Sequence, residues 1–204
     1  KPGRQETLMV SLPSHPDAAA APLTMTVGPA PSLLPRGGTV TQTCSQVGGQ
    51  TSCVIPVMGQ PGETNPLPGT PLKLVSVGAT SSCPGVTFAL EGSTSVRATW
   101  GANTLGAAAC IGRFTVQDAQ GTLSAGDGDG TVIVDLNGLP AAPTRVEWVG
   151  YTGDSVRLQV VSDSSSYPAL TGYRLVGAGN GSCSLDGNCQ ISGLSNGQAE
   201  TFQV

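Results

Sequence analysis

An all-β chain folded as two β-sandwich domains in tandem is the expectation from three features of the sequence. Short runs alternate apolar and polar residues with period two, as in the stretch from Thr39 to Cys44. The 29 glycines and 16 prolines punctuate such runs without a collagen period. A length of 204 residues suffices for two sandwiches of about 100 residues each. Hydrophobic residues make up 38% of the chain, enough for burial rather than disorder.

In chain order, residues 1–34 carry two alternating runs, Thr7 to Leu12 and Leu23 to Val27, separated by a loop that holds His15. They read as N-terminal strands packed on the next domain, or as the last strand of a preceding domain. The proline-rich stretch 28–35 reads as a polyproline linker. Residues 35–138 hold seven strand signals about ten residues apart: 39–44, 52–57, 72–77, 86–90, 95–100, 112–116 and 130–136. Seven short strands make one sandwich. The segment from Gly138 to Thr144, with prolines at 140 and 143, links the halves as a stiff connector. Residues 139–204 carry further signals at 139–146, 154–158, 170–175, 191–197 and 201–204.

Six cysteines fall in close groups, none in a Cys-x-x-Cys arrangement, which disfavours zinc. Sequential pairing closes each loop inside one domain, giving Cys44 with Cys53, Cys83 with Cys110, and Cys183 with Cys189. Bridges of this kind persist in an oxidising compartment, so an extracellular or cell-surface location is expected.

The charge pattern excludes some functions. With two lysines, seven arginines and a net charge of −4, no basic stripe exists to neutralise phosphates, so nucleic acid is not an expected partner. No run of eighteen or more apolar residues occurs, so no membrane insertion is expected within this segment. The N-terminus, Lys1 to Thr7, lacks the apolar stretch of a signal peptide, and the chain reads as a piece of a longer protein.

Two family resemblances sharpen the domain reading. In 35–138, the Gly37-Gly38-Thr39-Val40 run, the strand from Pro71 to Val77, Ser82-Cys83, the turn from Ala102 to Cys110 and the stretch from Phe114 to Gly121 resemble bacterial immunoglobulin-like (cadherin-like) repeats of secreted actinobacterial proteins. The insert from Cys44 to Cys53 departs from that pattern. In 139–204, Thr171-Gly172-Tyr173, Leu194 and Phe202 resemble the third-strand tyrosine, the hydrophobic plug and the sixth strand of a fibronectin type III domain. Two departures stand out: Val160 occupies the place of a second-strand tryptophan, and Glu200 that of the corner tyrosine. Trp148 is the residue expected to compensate, and the Cys183 to Cys189 bridge to hold the hairpin. By this resemblance the last, seventh strand is missing at Val204.

No active site emerges. The single histidine, His15, lies in a loop, and 4% aromatic content suggests no sugar-cleaving cleft. No cofactor is expected. The densest acid cluster, Asp118 with Asp127 and Asp129, supplies the oxygen ligands calcium prefers, but position twelve of an EF-hand loop begun at Asp127 is Gly138. The competing use of those aspartates is to satisfy backbone donors in turns. Lys73 is the one internal lysine, and an isopeptide brace would require it buried. Trp100 and Trp148 are the ligand-contact aromatics if exposed; packing in a core or between domains is their other use.

These readings imply a non-enzymatic structural or adhesion segment, a semi-rigid spacer with a surface for other protein chains or cell-surface components. The alternatives are a carbohydrate-binding accessory module of a secreted enzyme and a filament subunit that exchanges a strand between copies.

Overall fold

The structure is a computed structural model that describes residues 4–28, 33–80, 83–163, 167–177 and 180–204. Residues 29–32 of the expected polyproline linker and Ser82 of the Ser-Cys motif lie outside the described residues. The chain is all-β: fifteen strands and two single-turn 3-10 segments, with no α-helix among the described residues.

β1 (Gln5–Val10) and β2 (Ala21–Thr26) form an antiparallel hairpin with Leu8 opposite Leu23. Alternation places Leu8, Val10, Leu23 and Met25 on one face. Glu6 shares that face, and the other is mixed: Met9 and Pro22 lie beside Gln5, which donates to the Thr26 hydroxyl at 3.4 Å, and the Thr7 and Thr24 hydroxyls, 3.5 Å apart. Every residue of both strands is exposed, so the expected packing of these strands on the next domain does not occur. The hairpin satisfies its backbone by its own pairing and leaves its apolar face in solvent.

The next seven strands are β3 (Thr39–Ser45), β4 (Ser52–Pro56), β5 (Lys73–Ala79), β6 (Val86–Glu91), β7 (Ser95–Trp100), β8 (Ala107–Gln117) and β9 (Gly130–Asn137). They form a four-stranded sheet, β3-β9-β8-β5, and a three-stranded sheet, β4-β7-β6. The pairing of β3 with β9 is parallel; the others within these sheets are antiparallel. One core joins the two sheets: Ile55, Val96, Ala98 and Trp100 from the second meet Leu74, Phe114, Val116, Val132 and Val134 from the first. β9 shows why: its burial alternates strictly, Val132, Val134 and Leu136 inward and Thr131, Ile133 and Asp135 outward.

β8 begins at Ala107, five residues before the expected Gly112. The extension contains a register shift between Ala107 and Cys110, where Ala109 takes a φ of 53°. The Asp135 carboxylate accepts the Ala109 N–H at 2.8 Å, which holds this unusual backbone in place. The shift leaves Cys110 fully buried and bonded to Cys83, while Cys44 and Cys53 join the first and second sheets. Glycine is required at Gly37 and Gly130, because a side chain at either would run into the Phe114 ring.

The remaining strands are β10 (Arg145–Thr152), β11 (Ser155–Val161), β12 (Val176–Gly177), β13 (Asn180–Cys183), β14 (Asn188–Ser192) and β15 (Phe202–Gln203). The order β10-β11-β14-β13 makes a four-stranded antiparallel sheet, and β12 pairs with β15 in a separate two-stranded ribbon. Between them lies a small core of Leu158, Val160, Cys189 and Ile191, against which Tyr173, Leu194 and Phe202 pack as expected. Cys183 and Cys189 are directly opposed on the β13–β14 hairpin and bonded to each other.

The connector is fastened to the first of these units. Gly106 N–H donates to the Leu139 carbonyl at 2.9 Å, and Leu139 N–H to the Thr104 carbonyl at 3.0 Å. A side chain at Gly138 would strike the Thr104 carbonyl, and one at Gly106 would strike the Tyr167 carbonyl and Pro168 of the second unit.

Candidate functional site

The most exposed aromatic surface lies on β10. Paired strand residues share a face, so Val146, Trp148 and Tyr151, opposite Val160, Leu158 and Val156, point to the core side of their sheet. Trp148 and Tyr151 are three apart and would normally point to opposite faces; a bulge at Val149 brings both to one side. Among the described residues, the two-stranded ribbon does not reach over them. Trp148 therefore remains 61% exposed and Tyr151 74% exposed, with ring centroids 6.0 Å apart and planes tilted by 48°. The expectation that Trp148 fills the core vacancy beside Val160 fails for this reason: it sits on the edge strand, beyond the reach of the second layer.

Beside the two rings opens a cavity of about 360 Å³. Leu158, Leu194 and Phe202 continue it into the small core, while Asp154 and Glu200 supply carboxylates and Asn196 and Gln198 supply amides. No lysine or arginine lines it. The arrangement can stack a ring or an apolar strand against the aromatics and accept hydrogen bonds from donors at its rim. It offers no histidine or cysteine to serve as base or nucleophile.

The other sequence-predicted site residues are used elsewhere. Trp100 is 5% exposed in the first core and donates its indole N–H to the Gln50 carbonyl at 3.0 Å, so it cannot contact a ligand. Asp118 is buried and locks a turn: its Oδ1 accepts the N–H groups of Gln120 and Thr122 at 2.9 and 2.8 Å. Asp129 Oδ1 accepts the Ser124 hydroxyl at 2.5 Å, and the Asp127 carbonyl accepts from the Arg36 guanidinium at 2.8 Å. Among the described residues no group of three acids, histidines or cysteines is placed to hold a metal ion. Lys73 is exposed on β5, which removes the isopeptide brace, and His15 is exposed in the hairpin loop.

The clearest electrostatic feature lies away from the cavity. Arg97 donates to both oxygens of Glu91, from Nε at 2.8 Å and Nη2 at 2.7 Å. These bonds hold the Glu91 carboxyl below its usual value and raise Arg97. Tyr151 is the site residue that sequence reasoning missed. Its signal was Gly150 inside an otherwise apolar strand, since a strand-interior glycine marks a bulge and a bulge resets which residues share a face. No family model matches the chain, and no curated protein matches it in sequence.

Proposed function

We propose that the chain is a non-enzymatic, extracellular segment, an immunoglobulin-like sandwich followed by a fibronectin type III-like one, serving as a semi-rigid spacer that carries a protein-interaction surface. Strand order supports a β-sandwich in each unit, the second having the A-B-E-D and C-F order of a constant-type immunoglobulin sheet pair, while the fibronectin type III reading rests on the resemblance at Tyr173, Leu194 and Phe202. In the first unit β3-β9-β8-β5 faces β4-β7-β6 in Greek-key fashion; in the second, the first, second, fifth and fourth strands form one sheet while the third pairs with the sixth. Three disulfides support an oxidising, extracellular setting.

The observation that carries the spacer reading is the fastened connector, with Leu139 hydrogen-bonded to Thr104 and Gly106 and the Tyr167 carbonyl seated on Gly106. The Leu139 bonds fix the start of the connector to the first unit, the Gly106–Tyr167 approach is where the two units meet, and the spacer reading requires the units to move as one. Amide nitrogen relaxation tests this: both units should report one common tumbling time, and two independent times would refute it.

The exposed Trp148 and Tyr151 favour a second reading, a carbohydrate-binding accessory module. Since Trp100 is buried, a change of tryptophan fluorescence on titrating cell-wall or plant glycans would report Trp148. A flat titration with every glycan removes that reading.

A further inference from the structure

Asparagine is followed by glycine at three places, Asn137-Gly138, Asn180-Gly181 and Asn196-Gly197. Such a pair carries its own reaction. The glycine backbone nitrogen loses its proton and attacks the carbonyl carbon of the asparagine side chain, ammonia leaves, and a cyclic imide forms. Water then opens the imide at one of its two carbonyls, giving aspartate or isoaspartate. Glycine favours the attack because it has no Cβ to obstruct it. A folded chain can prevent it in two ways: by a backbone that cannot rotate to bring the groups together, or by an N–H already engaged.

Two of the pairs are held in this way. Asn137 ends β9 opposite Ser45, its carbonyl accepts the Gln46 N–H at 3.0 Å, and the Gly138 N–H is spent on the Leu136 carbonyl at 3.0 Å. The Thr104 carbonyl crowds Gly138, so this backbone has no room to turn. Asn180 and Gly181 lie in β13, opposite Ser192 and Ile191, with the Leu175 side chain against Gly181. Rotation there must break the β13–β14 ladder.

Asn196 and Gly197 meet neither obstacle. Both are exposed, in the loop between β14 and β15. Neither the Gly197 N–H nor the Asn196 carboxamide has a hydrogen-bond partner among the described residues. Gly197 has a φ of 78° and open space where a Cβ would stand. The turn is closed by a long bond, from the Gln198 N–H to the Ser195 carbonyl at 3.3 Å, which yields readily to rotation at Asn196.

Position gives the product a consequence. Asn196 lines the cavity beside Trp148 together with Asp154 and Glu200, and no lysine or arginine lines it. Conversion exchanges a neutral amide for a carboxylate, a further acid on a rim with no base on its lining to offset it.

We propose that Asn196-Gly197 is a self-modifying site, converted with age by its own backbone and water, and that the new carboxylate turns the Trp148 cavity against anionic ligands and toward cationic ones. The fold singles out this pair and protects the other two.

Timed incubation of the full chain in mildly alkaline buffer, followed by peptide mapping in a mass spectrometer, tests the modification. Conversion should appear first at Asn196, with Asn137 and Asn180 slower by about tenfold or more. In denaturant all three should convert at comparable rates, because nothing then restrains them. Asn196→Gln should abolish the event at this position while leaving the turn backbone alone, since a longer side chain must close a larger ring.

Trp148 reports the charge. It is 61% exposed and Trp100 only 5%, so dissolved quenchers reach Trp148. Iodide should quench the aged chain less than the fresh one and caesium more, with both differences shrinking as salt is added. Asn196→Asp should show the aged pattern from the start, and Asn196→Gln the fresh pattern throughout.

Conversion of Asn137 or Asn180 ahead of Asn196 in the folded chain overturns the proposal. So does an Asn196 that stays intact when folded yet converts in denaturant. Conversion at Asn196 with iodide and caesium quenching unchanged overturns it equally, because the charge then does not reach the cavity.

Discussion

The two units contain one tryptophan each, and their fates differ. Trp100 ends β7 inside a core of fifteen buried residues, with its indole N–H bonded to the Gln50 carbonyl. Trp148 sits mid-strand on β10 beside a core of four and is 61% exposed. Both lie on period-two strands of similar composition. What separates them is the layer opposite: among the described residues, four strands face three in the first unit, whereas four face a two-stranded ribbon in the second. Alternation tells a side chain which face of its sheet to occupy; whether that face is covered depends on the width of a second sheet built from distant sequence.

The largest effect that would break this comparison is at Trp100. Trp100→Ala should cost about 3–5 kcal/mol, read from denaturant unfolding by circular dichroism, because a large side chain leaves a cavity that two sheets cannot close. A small effect there would mean that the first core is as open as the second.

Disulfide removal comes next. Replacing Cys83 and Cys110 by serine should cost about 3.5 kcal/mol, and replacing Cys183 and Cys189 about 2.2 kcal/mol, from loop-closure entropy over separations of 27 and 6 residues. The smaller loss should nevertheless be the more damaging, because it falls on the unit with the smaller core. Differential hydrogen exchange would sharpen the contrast by showing the second unit opening while the first stays protected.

Trp148→Ala should change the stability of the chain by no more than about 0.5 kcal/mol, as exposed substitutions do. A loss comparable to that at Trp100 would show Trp148 to be structurally buried after all.

The smallest effect concerns pH. The folded-state value of Glu91 lies below its unfolded value, so its contribution is present above the ordinary carboxylate range and is lost as pH falls through the folded value. Because the pair is solvent-exposed, the contribution is small. Thermal melts of wild type and Glu91→Gln should differ slightly at neutral pH and converge in acid.

Much of the architecture was legible in local pattern. The seven strands of the first unit fall where alternation and turns placed them, because each has an inner face that the opposite sheet covers. The cysteine pairs were legible because each loop is short and closes within one unit. Legibility failed where long-range cover decides. β1 and β2 could be read as strands, but not as a hairpin standing clear of the next domain. The stretch 170–175, read as a strand, pairs only beyond it, at Val176 and Gly177. The β10 site required knowing both that Val149 is an extra residue in the ladder and that no described strand lies over Tyr151, and neither is written in β10 alone.

The parallel pairing of β3 with β9 also sets how the first unit bears load. Tension applied at Thr39 and Asn137 runs along both strands in opposite senses, so the rungs between them resist as a set in shear instead of parting one at a time like a zipper. Pulled in an optical trap, this unit should hold until one abrupt rupture, whereas β1 and β2, tugged apart at their open end, should separate gradually at low force.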